Sequence, residues 1–302
     1  MSKTWKVLLP AALLAGALAQ QNAVPPELPY KVAADWPQLP LGMNLGETSG
    51  VDTDSRGHVY VFNRGQQPIV ELDPAGKFVR AWGEGMITSA HGLRVDRENN
   101  IWAVDVAGHT VLKMNPQGRV VMVLGRRGTA GATQTNFNRP TDVAVAPNGD
   151  FYVADGYGNS RVMKFSKDGN FLLEWGKKGT APGEFNLPHT VALDSRGRVY
   201  VGDRENHRIQ IFDPNGMFLA EWKHAGSPWG LDITPDQRIF MADGYKNQVV
   251  LLNLEGQILG RLGGPGKLPG QFDFAHAISV SSAGDIYVAE ILNWRAQKFV
   301  RR

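Results

Sequence analysis

The chain has 302 residues, 42% of them hydrophobic and 20% charged, with a formal net charge of +3 and no cysteine. Basic and acidic residues are interleaved, which excludes the basic stripe of a nucleic-acid-binding protein, and the lack of cysteine excludes disulfides, thiolate metal sites and a thiol nucleophile. The 35 glycines and 18 prolines are scattered between short apolar runs, the punctuation expected of an all-β chain.

Lys3 and Lys6 precede the apolar run "VLLPAALLAGALA" (7–19), which ends on Ala17-Leu18-Ala19 before Gln20. This is the pattern of a secretory signal peptide, so cleavage near Ala19 and export to the periplasm or medium are expected. The run is short and interrupted by Pro10, which argues against stable membrane insertion. Residues 20–29 read as an extended linker, and residues 30–302 as one domain.

From residue 48 onward the sequence repeats itself. The copies begin at "TSGVDTDSRGHVYVFN" (48–85), "AHGLRVDRENNIWAVD" (90–125), "PTDVAVAPNGDFYVAD" (140–179), "PHTVALDSRGRVYVGD" (188–222), "PWGLDITPDQRIFMAD" (228–263) and "AHAISVSSAGDIYVAE" (275–302). Each holds short strand-like segments such as "TVALD", "RVYVGD", "RIQIFD" and "FLAEW", and tight turns such as "DPAG" and "DPNG" join the last two. Four antiparallel strands make one propeller blade, so the six copies predict a six-bladed β-propeller. The sixth copy stops before its fourth strand. The segment "YKVAADWPQ" (30–38) has the same apolar-plus-Trp character and is expected to complete that blade, closing the ring and removing open edges.

In a propeller the first strand of each blade lines the central channel, and equivalent positions form a ring. Here that ring is Ser49, His91, Thr141, His189, Trp229 and His276, with histidine in alternate blades. With 7 histidines in the chain, about 0.1 is expected in six slots by chance. Three imidazoles spaced a third of a turn apart, with an open fourth position, suit a catalytic zinc, although other divalent metals share this ligand preference. The turns after the second strands surround the same mouth and carry Arg64, Tyr157, Arg204 and Tyr245. A guanidinium there suits a substrate carboxylate, and a phenol suits proton transfer. Asp105, Asp155, Asp203 and Asp243 recur at one repeat position and are expected to cap turns; His58, His109, His207 and His224 are expected on the surface.

The phrases "HGLRVDRENNIWAVDVAGHTVLKM", "PTDVAVAPNGDFYVADGYGNSRVMKFSKDGNF" and "LPHTVALDSRGRVYVGDRENHRIQIF" closely resemble the NHL-repeat propeller of the peptidyl-α-hydroxyglycine α-amidating lyases, over about residues 46–300. The resemblance implies a channel Zn2+ on His91, His189 and His276, and cleavage of a C-terminal α-hydroxyglycine to a peptide amide and glyoxylate. It also implies that Arg64 and Arg204 hold the substrate carboxylate, that Tyr157 assists proton transfer, and that Phe274, where the family has methionine, forms part of the pocket wall. The family's Ca2+ site uses backbone carbonyls that match Val51 and Leu93, with an aspartate after the third histidine; this chain has Ala277 there. Gly158 stands where the family has a cysteine.

The expected partner is a small-molecule or peptide substrate with a free carboxylate, bound by a monomer. Two alternatives stay open. A lactonase-like metal hydrolase would need a carboxylate general base, for which Glu47, Asp142 and Glu205 are candidates. A non-catalytic NHL binding scaffold would hold no stoichiometric metal.

Overall fold

The computed structural model describes residues 24–302, so the expected signal peptide lies outside the described residues. The channel-lining strands of blades one to six are Thr48–Thr53, Ala90–Val95, Asp142–Val145, Pro188–Leu193, Pro228–Ile233 and Ala275–Val280. Each begins a four-stranded antiparallel sheet, and the six sheets follow one another around the channel in chain order. The same register recurs in every blade: Val51, Leu93, Val143, Val191, Leu231 and Ile278 pair with Val61, Ala103, Val153, Val201, Met241 and Val288.

Strand character follows burial. The second strands, such as "VYVGD" (Val199–Asp203) and "IWAVD" (Ile101–Asp105), are buried on both faces and read as continuous β-branched and aromatic runs. The fourth strands are outermost and alternate, as in Phe171–Trp175, where Leu172 and Glu174 face water. Six apolar clusters fill the six interfaces between neighbouring blades, for example Tyr152, Ala154, Val162, Val191, Val201 and Phe212 between blades three and four. Each buried Val, Ile or Phe there contributes roughly 1.5–3 kcal/mol.

The ring closes as the repeat count requires. Tyr30–Val32 pairs antiparallel with Arg295–Arg301, in the register Tyr30↔Arg301 and Val32↔Phe299, and becomes the outer strand of blade six. Only these three residues of the 30–38 segment form the strand; Trp36 packs 5.3 Å from Tyr287 in the cluster between blades six and one. Within the stretch read as a linker, residues 26–28 lie along the outer strand of blade five, where Arg261 N–H donates to Pro26 O and Leu28 N–H to Arg261 O.

The recurring aspartates are structural. Asp105, Asp155 and Asp203 are fully buried and accept the backbone N–H groups of Ser89, Asn138 and Asn186 at 2.7–2.8 Å, fastening the lead-in of each channel strand to the end of the second strand. Arg161 and Arg208 close two of these sites from the third strand, at 3.0 and 2.8 Å, and Glu290 with Arg295 repeats the arrangement in blade six.

Candidate metal centre

In five blades the register shifts at the ring position, so Ser49, His91, His189, Trp229 and His276 each sit at an irregularity of the strand pair. A bulge re-aims the side chain it carries. Here it turns the three histidines toward one another: their ring centroids lie 4.7, 4.7 and 4.9 Å apart, and one ligand nitrogen from each falls within 4.8 Å of the others. All three are buried.

The alternation around the ring has a physical reason. Nδ1 of His91 lies 2.7 Å from Thr141 O, Nδ1 of His189 lies 2.7 Å from Trp229 O, and Nδ1 of His276 lies 2.7 Å from Ser49 O. A carbonyl only accepts, so each Nδ1 must donate and each Nε2 keeps its lone pair for an ion. The blades without histidine thus supply the carbonyls that orient the blades with it. Gly92 serves the same contact, since a Cβ there would stand 2.5 Å from Thr141 O.

Burial pushes all three imidazoles far below the ordinary histidine range, His91 to about 3. The Arg204 guanidinium acts in the same direction on all three, and Arg64 on His91 and His276. Three neutral, oriented, converging Nε2 atoms are a donor set that fits a divalent metal ion.

Tyr157 stands over this trio. Its hydroxyl lies 3.3 Å from Nε2 of His91 and 3.5 Å from Nε2 of His189, and it accepts from Nη1 of Arg204 at 3.3 Å. Arg204 is buried over the Trp229 ring at 4.1 Å and pairs with Glu205 at 2.8 Å. Arg64 occupies the equivalent turn of blade one, half a ring away; it donates to Ala90 O at 3.1 Å and pairs with Glu47 at 2.6 Å. Phe274 joins an aromatic wall with Trp229 (5.1 Å) and Tyr245 (6.4 Å) on the side of blades five and six. It is held at a left-handed φ of 56°, which a bulky residue adopts only under local constraint.

Arg139 escaped the sequence reading. Its guanidinium lies 4.8 Å from the centre of the Tyr157 ring, and the signal for it was only its place two residues before the ring position, the place Phe274 holds in blade six. The carboxylates weighed as general bases are all engaged: Glu47 by Arg64, Glu205 by Arg204 and by the Tyr245 hydroxyl at 2.8 Å, and Asp142 by Arg94 at 2.7 Å. Among the described residues, the metal-ligand cluster contains histidine alone. Beneath it, a void of about 20 Å³ lined by the histidines, Val51, Leu93 and Arg94 has room for about one water.

The outlying histidines sit in loops and on strand edges, each with a partner; His58 meets Glu71 at 2.7 Å and His207 meets Ser227 at 2.6 Å. No helix of the described residues is long and apolar enough to cross a membrane.

The NHL repeat family model matches residues 137–165 and 185–212. NHL repeat-containing protein 3 of Homo sapiens is 35% identical over 300 residues, covering 90% of this chain and 84% of that protein. Peptidyl-alpha-hydroxyglycine alpha-amidating lyase 1 of Drosophila melanogaster is 32% identical, over 88% of this chain and 59% of its own length. Peptidyl-glycine alpha-amidating monooxygenase B of Xenopus laevis is 32% identical over 85% of this chain, which spans only 34% of that protein. Among solved structures, a gluconolactonase of Xanthomonas campestris superposes with a TM-score of 0.66 at 13% identity, over 91% of this chain and 96% of its own, and shares the fold. Repeat, register and relatives agree, and the chain belongs to the NHL-repeat β-propeller family.

Proposed function

We propose that the chain is an exported, zinc-dependent carbon–nitrogen lyase that cleaves a C-terminal α-hydroxyglycine, or a related carbinolamide, to an amide and glyoxylate. The observation that carries this reading is the convergence of three oriented histidine nitrogens beneath the Tyr157 hydroxyl. Relatives named as lyases at 32–33% identity support it.

A zinc ion on the three imidazoles would polarise the substrate hydroxyl. Arg64 and Arg204 face the mouth from opposite sides and can take the substrate carboxylate, which orients the carbinol carbon toward the histidines. Tyr157 would pass the hydroxyl proton onward, a role supported by its hydroxyl lying 3.3 Å from Nε2 of His91 and accepting from Arg204 at 3.3 Å. The C–N electron pair leaves with the amide nitrogen, which takes up a proton, while the carbinol carbon becomes the aldehyde carbon of glyoxylate. No oxidant is consumed. The rings of Trp229, Tyr245 and Phe274 line one side of the site.

The test is metal analysis of the purified chain together with glyoxylate release from a small acyl-α-hydroxyglycine. About one zinc per chain and stoichiometric glyoxylate are expected. Zinc without glyoxylate would favour the metal hydrolase, and absence of metal would favour a non-catalytic scaffold, for which the likeness to NHL repeat-containing protein 3 is the supporting observation.

A pH dependence follows from the buried imidazoles. An ordinary histidine ligand is lost to protonation as pH falls through about 6.5. Here the folded-state values are depressed, His91 to about 3, so protons compete only at much lower pH. The affinity of the folded chain for Zn2+ is expected to change by less than about threefold between pH 7.5 and 5.5 in chelator-competition titrations corrected for the chelator's own protonation. A loss of tenfold or more over that interval would contradict it.

A further inference from the structure

Below the histidines the channel carries a second set of charges. Arg94 extends inward from blade two. Its Nε and Nη2 form a fork on Asp142 of blade three at 3.1 and 2.7 Å, and Nη2 also reaches Thr190 Oγ1 of blade four at 3.3 Å and Leu231 O of blade five at 3.0 Å. Blade five is half a turn from blade two, so the side chain spans the channel and sets its guanidinium near the axis. Leu231 holds the same register position as Val51 and Leu93, the two residues whose carbonyls the resemblance assigned to calcium.

The carboxylates around this guanidinium come from blades one, three and five. Asp52 accepts from Val95 N–H at 2.7 Å and from Ser279 Oγ at 2.7 Å; Asp142 accepts from Val191 N–H at 3.1 Å; Asp232 accepts from Val280 N–H at 2.6 Å. Each is thereby tied to the channel strand of the next blade. Burial raises the carboxyl groups of Asp52 and Asp232, the latter to about 6, while the Arg94 charge pulls both back toward ionisation. The Arg94 guanidinium, forked on Asp142, is the cation that the chain itself sets among these carboxylates.

We propose that Arg94 is a built-in axial cation: its guanidinium stands where a divalent ion would otherwise bridge the blades, so this propeller holds its channel together without calcium. A fixed guanidinium supplies positive charge and directed donors at the level of the carbonyls, and at Ala277 the carboxylate that would complete an ion's shell is absent. The inference is independent of the reaction catalysed at the histidines.

The experiment uses the full chain and its Arg94→Met variant. Calcium content is measured by elemental analysis after gel filtration in calcium-free buffer, and thermal unfolding is followed with 5 mM Ca2+ or 5 mM Mg2+ added. The wild-type chain is expected to hold less than about 0.1 calcium per chain, with a Tm that moves by less than about 1 °C on adding Ca2+. Arg94→Met is expected to melt about 5–10 °C lower, and Ca2+ but not Mg2+ is expected to restore part of the loss. Near-stoichiometric calcium in the wild-type chain, or a wild-type Tm that rises with Ca2+, would overturn the proposal. So would an Arg94→Met variant as stable as wild type. If that variant does not fold, the two wild-type measurements decide alone.

Discussion

Replacing His189 by alanine is expected to empty the metal centre and lower glyoxylate release at least about 10³-fold, because the trio offers three ligand nitrogens and no further His, Asp or Glu among the described residues joins the cluster to replace one. The substitution removes one converging nitrogen and leaves the Trp229 carbonyl without the Nδ1 donor that now lies 2.7 Å away. Two imidazoles hold a divalent ion far more weakly than three, so metal analysis after gel filtration should fall from about one ion per chain to less than about 0.1. His224→Ala is the matched control. Its ring is exposed, meets the Gly256 carbonyl at 2.7 Å and takes no part in the trio, so metal and activity should be retained. Full metal occupancy in His189→Ala would remove the trio as the centre and the proposed chemistry with it.

Tyr157→Phe is expected to have a different signature: kcat lower by about 10²–10⁴-fold, with metal content unchanged and KM altered only slightly. The ring stays, and with it the packing against His91 (5.4 Å) and the Arg139 guanidinium over its face. What is lost is one oxygen, 3.3 and 3.5 Å from two ligand nitrogens and 3.3 Å from Arg204. A proton carrier removed in this way acts on the reacting state, whereas a residue that only holds the carboxylate acts on KM. A variant with normal kcat and raised KM would move Tyr157 from proton transfer to substrate binding and leave the base unidentified.

Much of this site is visible in the repeat. Once the copies are aligned, His91, His189 and His276 share one slot, and a propeller brings equivalent slots to one channel. Arg64, Arg204 and Tyr157 were found in the same way, from the turns that end beside those slots. Arg139 was not: it precedes its ring position instead of lying in one of those turns, and its contact with the face of the Tyr157 ring exists only in the folded chain. Arg94 was missed for a related reason: in the sequence it is one polar residue in an alternating strand, and its charge has meaning only beside Asp142, Asp52 and Asp232 from three other blades.

Local sequence alone determined the blades, their number, the closing strand and the slots of the histidines, because β-strand alternation, tight turns and a fixed repeat length are short-range properties that each copy carries for itself. Only the tertiary structure decided which nitrogen of each histidine faces the centre, since that depends on carbonyls of Thr141, Trp229 and Ser49 that lie 50, 40 and 227 residues away in the chain. It decided equally that Arg94 reaches across the channel to a carbonyl 137 residues distant. Hydrogen bonds and charge pairs act over a few ångströms in space and are indifferent to distance along the chain, so they become legible when the ring has closed.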